Sequence, residues 1–149
     1  MLRISKLTDY ATVLMAALAR REQDCVSASQ LAQDTRLELP TTAKVLKTLA
    51  KSGLVRSVRG VNGGYQLAQA PEELSVASIV RAMEGPIALT ECSLEQGLCA
   101  HESQCTLRGN WQRIGQAVEQ ALEVLTLSDL YQPVPPGTAL RPAATFKIM

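Results

Sequence analysis

The chain has 149 residues, with 15 basic and 14 acidic side chains, one histidine and four cysteines. This length suits a single hydrophobic core, or one compact domain with an appended element. No apolar run approaches the roughly 20 residues that span a bilayer, and the first residues lack the apolar stretch of a signal peptide, so we expect a cytoplasmic protein without membrane contact.

The net charge of +1 hides a division of charge along the sequence. Residues 36–66 contain six basic residues and one acidic residue, a net charge of +5, and we call them the basic zone. Residues 67–130 contain three basic and nine acidic residues, a net charge of −6. A basic zone in a nearly neutral chain is the pattern expected for contacts with nucleic-acid phosphates, although charge alone would equally fit a solvated face.

Two helices are predicted before residue 36. The first covers about residues 5–20, because apolar residues recur there on one helical face, namely Leu7, Ala11, Leu14 and Leu18. Ser27 followed three residues later by Gln30 has the pattern of a capping box. The second helix is therefore predicted to begin after Ser27 and to end at about residue 34.

A third helix is predicted to contact DNA. Residues 35–39 form the preceding turn, Pro40 suits the first helical turn, and Gly53 is placed to end the helix in a left-handed conformation. The side chains predicted to face DNA carry hydroxyl or ammonium groups, namely Thr41, Thr42, Lys44, Lys47, Thr48 and Lys51. A major-groove helix presents such groups to phosphates and bases, and a lysine-rich solvent face is the alternative.

A β-hairpin is predicted next, with strands at residues 54–59 and 65–67 and a glycine-rich turn between them. Arg59 and Asn62 are placed at its tip, where wings and arms enter a minor groove. Arg56 in the first strand is the remaining predicted DNA contact. Together these elements predict a winged helix-turn-helix over residues 1–70, in a mainly α protein whose small β-hairpin is the wing.

Residues 71–130 are predicted to hold a cysteine-containing region and a dimerisation helix. A helix capped by Ser75 ends before Gly85. A long helix from about residue 106 carries an apolar stripe of Trp111, Ile114, Val118, Leu122 and Leu125. Such helices commonly pair with a second copy, so we predict a homodimer; folding back on the chain's own domain is the alternative. Four prolines indicate a disordered tail over residues 131–149.

Cys92, Cys99 and Cys105 lie within 14 residues that contain no lysine or arginine, and we call residues 92–105 the cysteine segment. Thiols clustered in a chain without secretory features usually bind a metal or an iron–sulfur cluster. Zinc with His101 as fourth ligand is an alternative, but structural zinc sites usually use cysteines two to four residues apart. The isolated Cys25 is predicted to be a buried or surface thiol. A single histidine and the absence of Cys-x-x-Cys argue against an enzyme.

The chain resembles the IscR/NsrR family of bacterial winged-helix iron–sulfur regulators over residues 1 to about 130. The matching segments are residues 4–11 (ISKLTDYA), residues 53–60 (GLVRSVRG) continuing into Gly63-Gly64-Tyr65, and the three cysteines before Trp111. The opening segment and the overall form are most similar to the branch that regulates the Suf iron–sulfur assembly system.

The resemblance implies that the three cysteines of the cysteine segment ligate a cluster. IscR-like members use a histidine three residues after the last cysteine, but this chain has Arg108 there, and a guanidinium cannot replace it. NsrR-like members use an aspartate from the first helix of the partner subunit, and Asp9 matches that position. His101 is a second candidate, and Asp9 also suits the dipole of its helix. A 4Fe–4S cluster is favoured over 2Fe–2S if Asp9 is the ligand.

The function implied is that of a homodimeric transcriptional regulator that binds double-stranded DNA according to the state of its cluster. The resemblance favours a repressor of Suf iron–sulfur assembly genes. Two alternatives stay open at this point: a repressor that responds to nitric oxide, and a zinc-stabilised winged-helix protein.

Overall fold

The computed structural model describes residues 3–21, 24–94, 99 and 104–133. These residues form helices and one antiparallel pair of strands, as the sequence predicts. In chain order the elements are α1 (Lys6–Ala19), α2 (Ala28–Thr35), α3 (Leu39–Lys51), β1 (Val55–Val58), β2 (Gly64–Leu67), α4 (Val76–Glu84), α5 (Glu91–Leu94), α6 (Arg108–Val124) and α7 (Leu127–Tyr131).

Serine N-caps begin three of these helices. The hydroxyls of Ser5, Ser27 and Ser75 accept hydrogen bonds from the backbone N–H three residues further on, at 3.1–3.2 Å. Each such cap is worth about 1 kcal/mol. The capping box predicted at Ser27 is only half formed, because the Gln30 amide donates to Asp34 (2.8 Å).

The hairpin is attached to the segment that leads into α2. Val26 and Tyr65 exchange two backbone hydrogen bonds of 2.9 and 2.8 Å. These bonds form an isolated antiparallel β-bridge beside β2. The predicted hairpin is confirmed, but Gly64 belongs to β2 and not to the turn. A Cβ atom on Gly64 would lie 2.5 Å from the carbonyl carbon and oxygen of Val26, so only glycine permits this close approach.

A single hydrophobic core draws on residues from both sides of position 70. Helix α1 packs against α2, α3, α4 and α7. The fully buried large side chains include Leu14, Leu31, Leu46, Leu74, Ile79 and Leu127. Helices α4 and α7 thus complete the core that α1, α2 and α3 begin.

Helix α7 was not predicted from the sequence. Thr126 and Asp129 form a reciprocal capping box at its start, and its buried Leu127 returns the chain to the core. Tyr131, predicted to begin the tail, is the last residue of this helix. The predicted tail from residue 134 onward lies outside the described residues.

Helix α6 lies on the outside of the core and is tied to α4 by ion pairs. The Arg81 guanidinium bonds Glu119 (2.7 Å) and Glu123. A hydrogen bond from Ser75, together with Arg81, lowers the pKa of the Glu123 carboxyl. Within α6 only Gly115 is buried. No helix in the described part of the chain combines the length and apolarity needed to cross a membrane.

Candidate nucleic-acid interface and cysteine segment

Helix α3 exposes its lysines and buries its aliphatic residues, as predicted. Lys44, Lys47 and Lys51 are exposed, and Thr41 and Thr48 are half-buried along one edge. The aliphatic side chains at positions 45, 46 and 49 are at most 1% exposed. The exposed side of α3 is therefore available to a large external partner.

Thr42 is a correction to the predicted DNA contacts. Its side chain is completely buried, and its hydroxyl oxygen has no hydrogen-bond partner among the described residues. Position 42 precedes Val45, Leu46 and Leu49 by three, four and seven residues, which is the spacing of a single helical face. This spacing was the signal that would have assigned Thr42 to the core.

The wing presents its polar groups at a closed turn. The Gly63 N–H donates to the Gly60 carbonyl oxygen at 3.0 Å, so the turn holds Asn62 at the tip of the hairpin. Arg56 in β1 and Arg59 beside the turn are exposed. These three predicted contacts therefore lie on one hairpin, whose first strand packs against α3.

Backbone hydrogen bonds join α3 and the wing into one body. Gly53 ends α3 with a φ of 79°, and Leu54 N–H then donates to the Leu49 carbonyl oxygen at 3.0 Å. Ala68 N–H donates to the Leu54 carbonyl oxygen at 3.0 Å, which closes the base of the hairpin. The exposed lysines of α3, which we call the lysine face, and the wing thus keep a fixed relative position.

The cysteine segment begins in α5 and ends just before α6. Cys92 lies in α5, which packs against α6. Cys99 and Cys105 are half-buried free thiols. The side chain of Cys92 and all of His101 lie outside the described residues, and within the described ranges no three metal-binding side chains lie together.

Cys25 lies apart from this segment, at the base of the wing. Its half-buried thiol donates a hydrogen bond of 3.3 Å to the Gln66 side-chain oxygen. This contact gives Cys25 a local structural role, in keeping with the interpretation of an isolated thiol.

Asp9 is exposed in the first turn of α1. Its carboxylate makes no hydrogen bond or ion pair with the described residues of its own chain. The N-terminus of α1 is instead served by Glu84 from the end of α4, which accepts from Thr8 Oγ1 (2.6 Å) and Ser5 N–H (2.8 Å). These bonds, first the one from Thr8, lower the pKa of the Glu84 carboxyl. Sequence reasoning missed Glu84 because the contact joins residues far apart in the chain.

The cysteine segment offers three thiols as possible iron ligands. Thiolates are the ligands that iron–sulfur clusters use. Arg108, in the first turn of α6, supplies no lone pair to a metal. The three cysteines thus fit three ligand positions of a cluster, and Arg108 cannot fill the fourth.

Residues 4–133 match the Rrf2 family, described as "Iron-dependent Transcriptional regulator". The chain is 33% identical over 131 residues to the transcriptional regulator NsrR of Halalkalibacterium halodurans, covering 87% of this chain and 90% of the relative. It is 31% identical over 130 residues to the regulator CymR of Bacillus subtilis, covering 87% and 89%.

Solved structures give the same result. The global cysteine regulator CymR of B. subtilis superimposes with a TM-score of 0.67 at 32% identity, covering 88% of this chain and 97% of that one. T. potens IscR superimposes with a TM-score of 0.64 at 29% identity, covering 87% and 85%. The predicted winged-helix fold is confirmed, and the relatives are named as regulators and not as enzymes. The chain belongs to the Rrf2 family of winged-helix, DNA-binding transcriptional regulators.

Proposed function

We propose that this regulator is a homodimeric repressor whose DNA affinity depends on an iron–sulfur cluster. The observation that carries the proposal is the cysteine segment, which runs from α5 to just before α6 in a chain of a family described as iron-dependent. Resemblance to the Suf branch supports iron–sulfur assembly genes as its targets. A shortage of iron or sulfide would then remove the cluster and change the repression of these genes.

The exposed side of α6 supports the homodimer. Trp111, Ile114 and Leu125 are 41%, 47% and 46% exposed. Large apolar side chains exposed in a row are typical of a surface that binds another protein. The edge of α6 that faces α4 carries Glu119 and Glu123. Val118 and Leu122 of the apolar stripe also face α4, where they line a pocket with Val80. The exposed remainder of the stripe, Trp111, Ile114 and Leu125, is the part left for a second copy.

We propose Cys92, Cys99, Cys105 and the partner subunit's Asp9 as the ligands of a 4Fe–4S cluster. Asp9 suits this role because Glu84 already supplies the negative charge at the start of α1, and the Asp9 carboxylate has no contact in its own described chain. When bound, the cluster would supply a link between the two subunits. The chain's own contribution is to fix the start of α1 to the end of α4 through the Glu84 contacts and to pack α5 on α6.

The DNA contacts we propose lie on α3 and the wing. Helix α3 contributes Thr41, Lys44, Lys47, Thr48 and Lys51 to the major groove and its phosphates, and the wing contributes Arg56, Arg59 and Asn62 to the adjoining backbone and minor groove. Their exposure and the net charge of the basic zone support these assignments. Dimeric regulators bind two half-sites at a fixed spacing. A cluster between the subunits would therefore change the distance between the two winged-helix domains.

A second candidate has the same cluster respond to nitric oxide. The match of Asp9 to the ligand position of NsrR-like members favours it. We expect the two signals to be separated by comparing the release of DNA after nitric oxide with its release after iron chelation. Release by nitric oxide alone would assign the signal to nitric oxide.

Cluster content tests the proposed ligands. We expect protein purified without oxygen to be coloured and to contain iron and acid-labile sulfide in equal amounts. Cys92→Ala, Cys99→Ala, Cys105→Ala and Asp9→Ala should lose both, because each removes a ligand, whereas Cys25→Ala should keep them. Retention in Asp9→Ala with loss in His101→Ala would move the fourth ligand to His101. A colourless protein that contains zinc would contradict the cluster itself.

A further inference from the structure

Arg36 has an unfavourable backbone conformation for its residue type. Its φ and ψ are 56° and 32°, and it is the one non-glycine residue with positive φ in the described part of the chain. Residues with a Cβ pay a steric cost in this left-handed region, so helices usually end there on glycine or asparagine. Gly53 follows that rule after α3. Local folding therefore does not favour arginine at position 36.

The Arg36 side chain does not compensate this cost within the chain. It is exposed and makes no hydrogen bond or ion pair with any residue that the structure describes. The nearby Asp34 is already bonded to Arg21 (2.6 Å) and Gln30 (2.8 Å). Neither neighbouring acid, Asp34 or Glu38, pairs with it. The guanidinium thus carries a permanent positive charge that no residue described in the structure neutralises.

Position 36 lies at the end of α3 that approaches DNA. It is in the turn between α2 and α3, three residues before α3 begins at Leu39. In helix-turn-helix proteins the N-terminal residues of the second helix reach the base edges. The turn before that helix then lies beside the phosphates that border the groove. Arg36 is also the first of the six basic residues in the basic zone.

We propose that Arg36 binds a backbone phosphate of the DNA and is a phosphate anchor additional to the α3 lysines and the wing. The inference depends on DNA binding by this family and does not depend on the cluster. Guanidinium groups suit phosphates because they donate two parallel hydrogen bonds. The strained backbone is retained because it directs this side chain toward the DNA.

The test is Arg36→Gly, measured for both folding and DNA binding. We expect a higher urea midpoint, because glycine removes the strain, together with weaker binding to every duplex tested, including unrelated sequence. The slope of log affinity against log salt should fall by about 1. This opposite movement of stability and affinity is not expected of a residue that only shapes the turn.

Two control variants define the outcome. Arg36→Lys keeps the charge and should keep the salt slope. Arg20→Ala removes an exposed charge at the end of α1, where the backbone is right-handed (φ −72°), and should leave the slope unchanged. Wild-type salt dependence in Arg36→Gly, or an equal loss in Arg20→Ala, overturns the proposal. Failure of the wild-type protein to bind DNA would instead count against the function of the whole interface.

Discussion

Replacing Gly64 with alanine should destabilise the protein by about 3 kcal/mol, the upper range for a forced overpacking. The added Cβ would lie 2.5 Å from the Val26 carbonyl carbon and oxygen, which are backbone atoms without a flexible side chain to move. The two Val26–Tyr65 hydrogen bonds would have to lengthen or break. Because they attach the wing to the segment before α2, DNA affinity should fall as well.

Gly109→Ala is the matched control for this substitution. Gly109 lies in the first turn of α6, and no atom would come within 4 Å of an added Cβ. We expect it to leave stability unchanged or raise it by up to about 1 kcal/mol, since alanine is the better helix former. Urea unfolding measures both variants. A wild-type midpoint in Gly64→Ala would refute the close approach of β2 to Val26.

The double substitution Lys44→Ala with Lys47→Ala should weaken DNA binding strongly at physiological salt. Each lysine that neutralises a phosphate contributes about 0.9 to the salt slope, so the slope should fall by roughly 2 and the affinity by roughly tenfold or more. Both side chains are exposed, and surface changes of this kind alter stability by no more than about 0.5 kcal/mol. Fluorescence anisotropy over a salt series measures the effect.

Lys6→Ala and Thr42→Val are its controls. Lys6 is an exposed lysine at the start of α1, outside the basic zone, so its removal should leave the salt slope unchanged. Thr42 lies on α3 but its hydroxyl is buried, so valine should leave DNA binding unchanged. Equal losses in Lys6→Ala would indicate a general charge effect and would contradict a specific lysine face.

Local chemistry made most of the fold predictable. Ser75 and Gly85 bound α4 within one residue of the predicted limits, because caps act on the adjacent turn. Helix α7 was missed because its five residues are too short to show a period. The need for glycine at position 64 was also invisible, since the clashing atoms belong to Val26, which is distant in sequence.

The DNA-contacting residues and the cluster ligands could be predicted from the sequence to different extents. The lysine face of α3 follows from helical periodicity, and the same periodicity correctly applied would have placed Thr42 in the core. Arg36 was counted only as a charge, because its left-handed backbone is not visible in the sequence. The fourth cluster ligand stays a proposal, since Asp9 and the cysteines of one chain would belong to different sites in a dimer.

The most direct test of the central claim compares the DNA affinity of cluster-loaded and cluster-free protein without oxygen. The duplex should be selected from random sequence with the cluster-loaded protein, and the double lysine variant provides the reference for weakened binding. We predict that removing the cluster by iron chelation weakens binding to this duplex at least tenfold, while both forms remain folded by circular dichroism. Equal affinity of the two forms would contradict the proposal that the cysteine segment controls DNA binding.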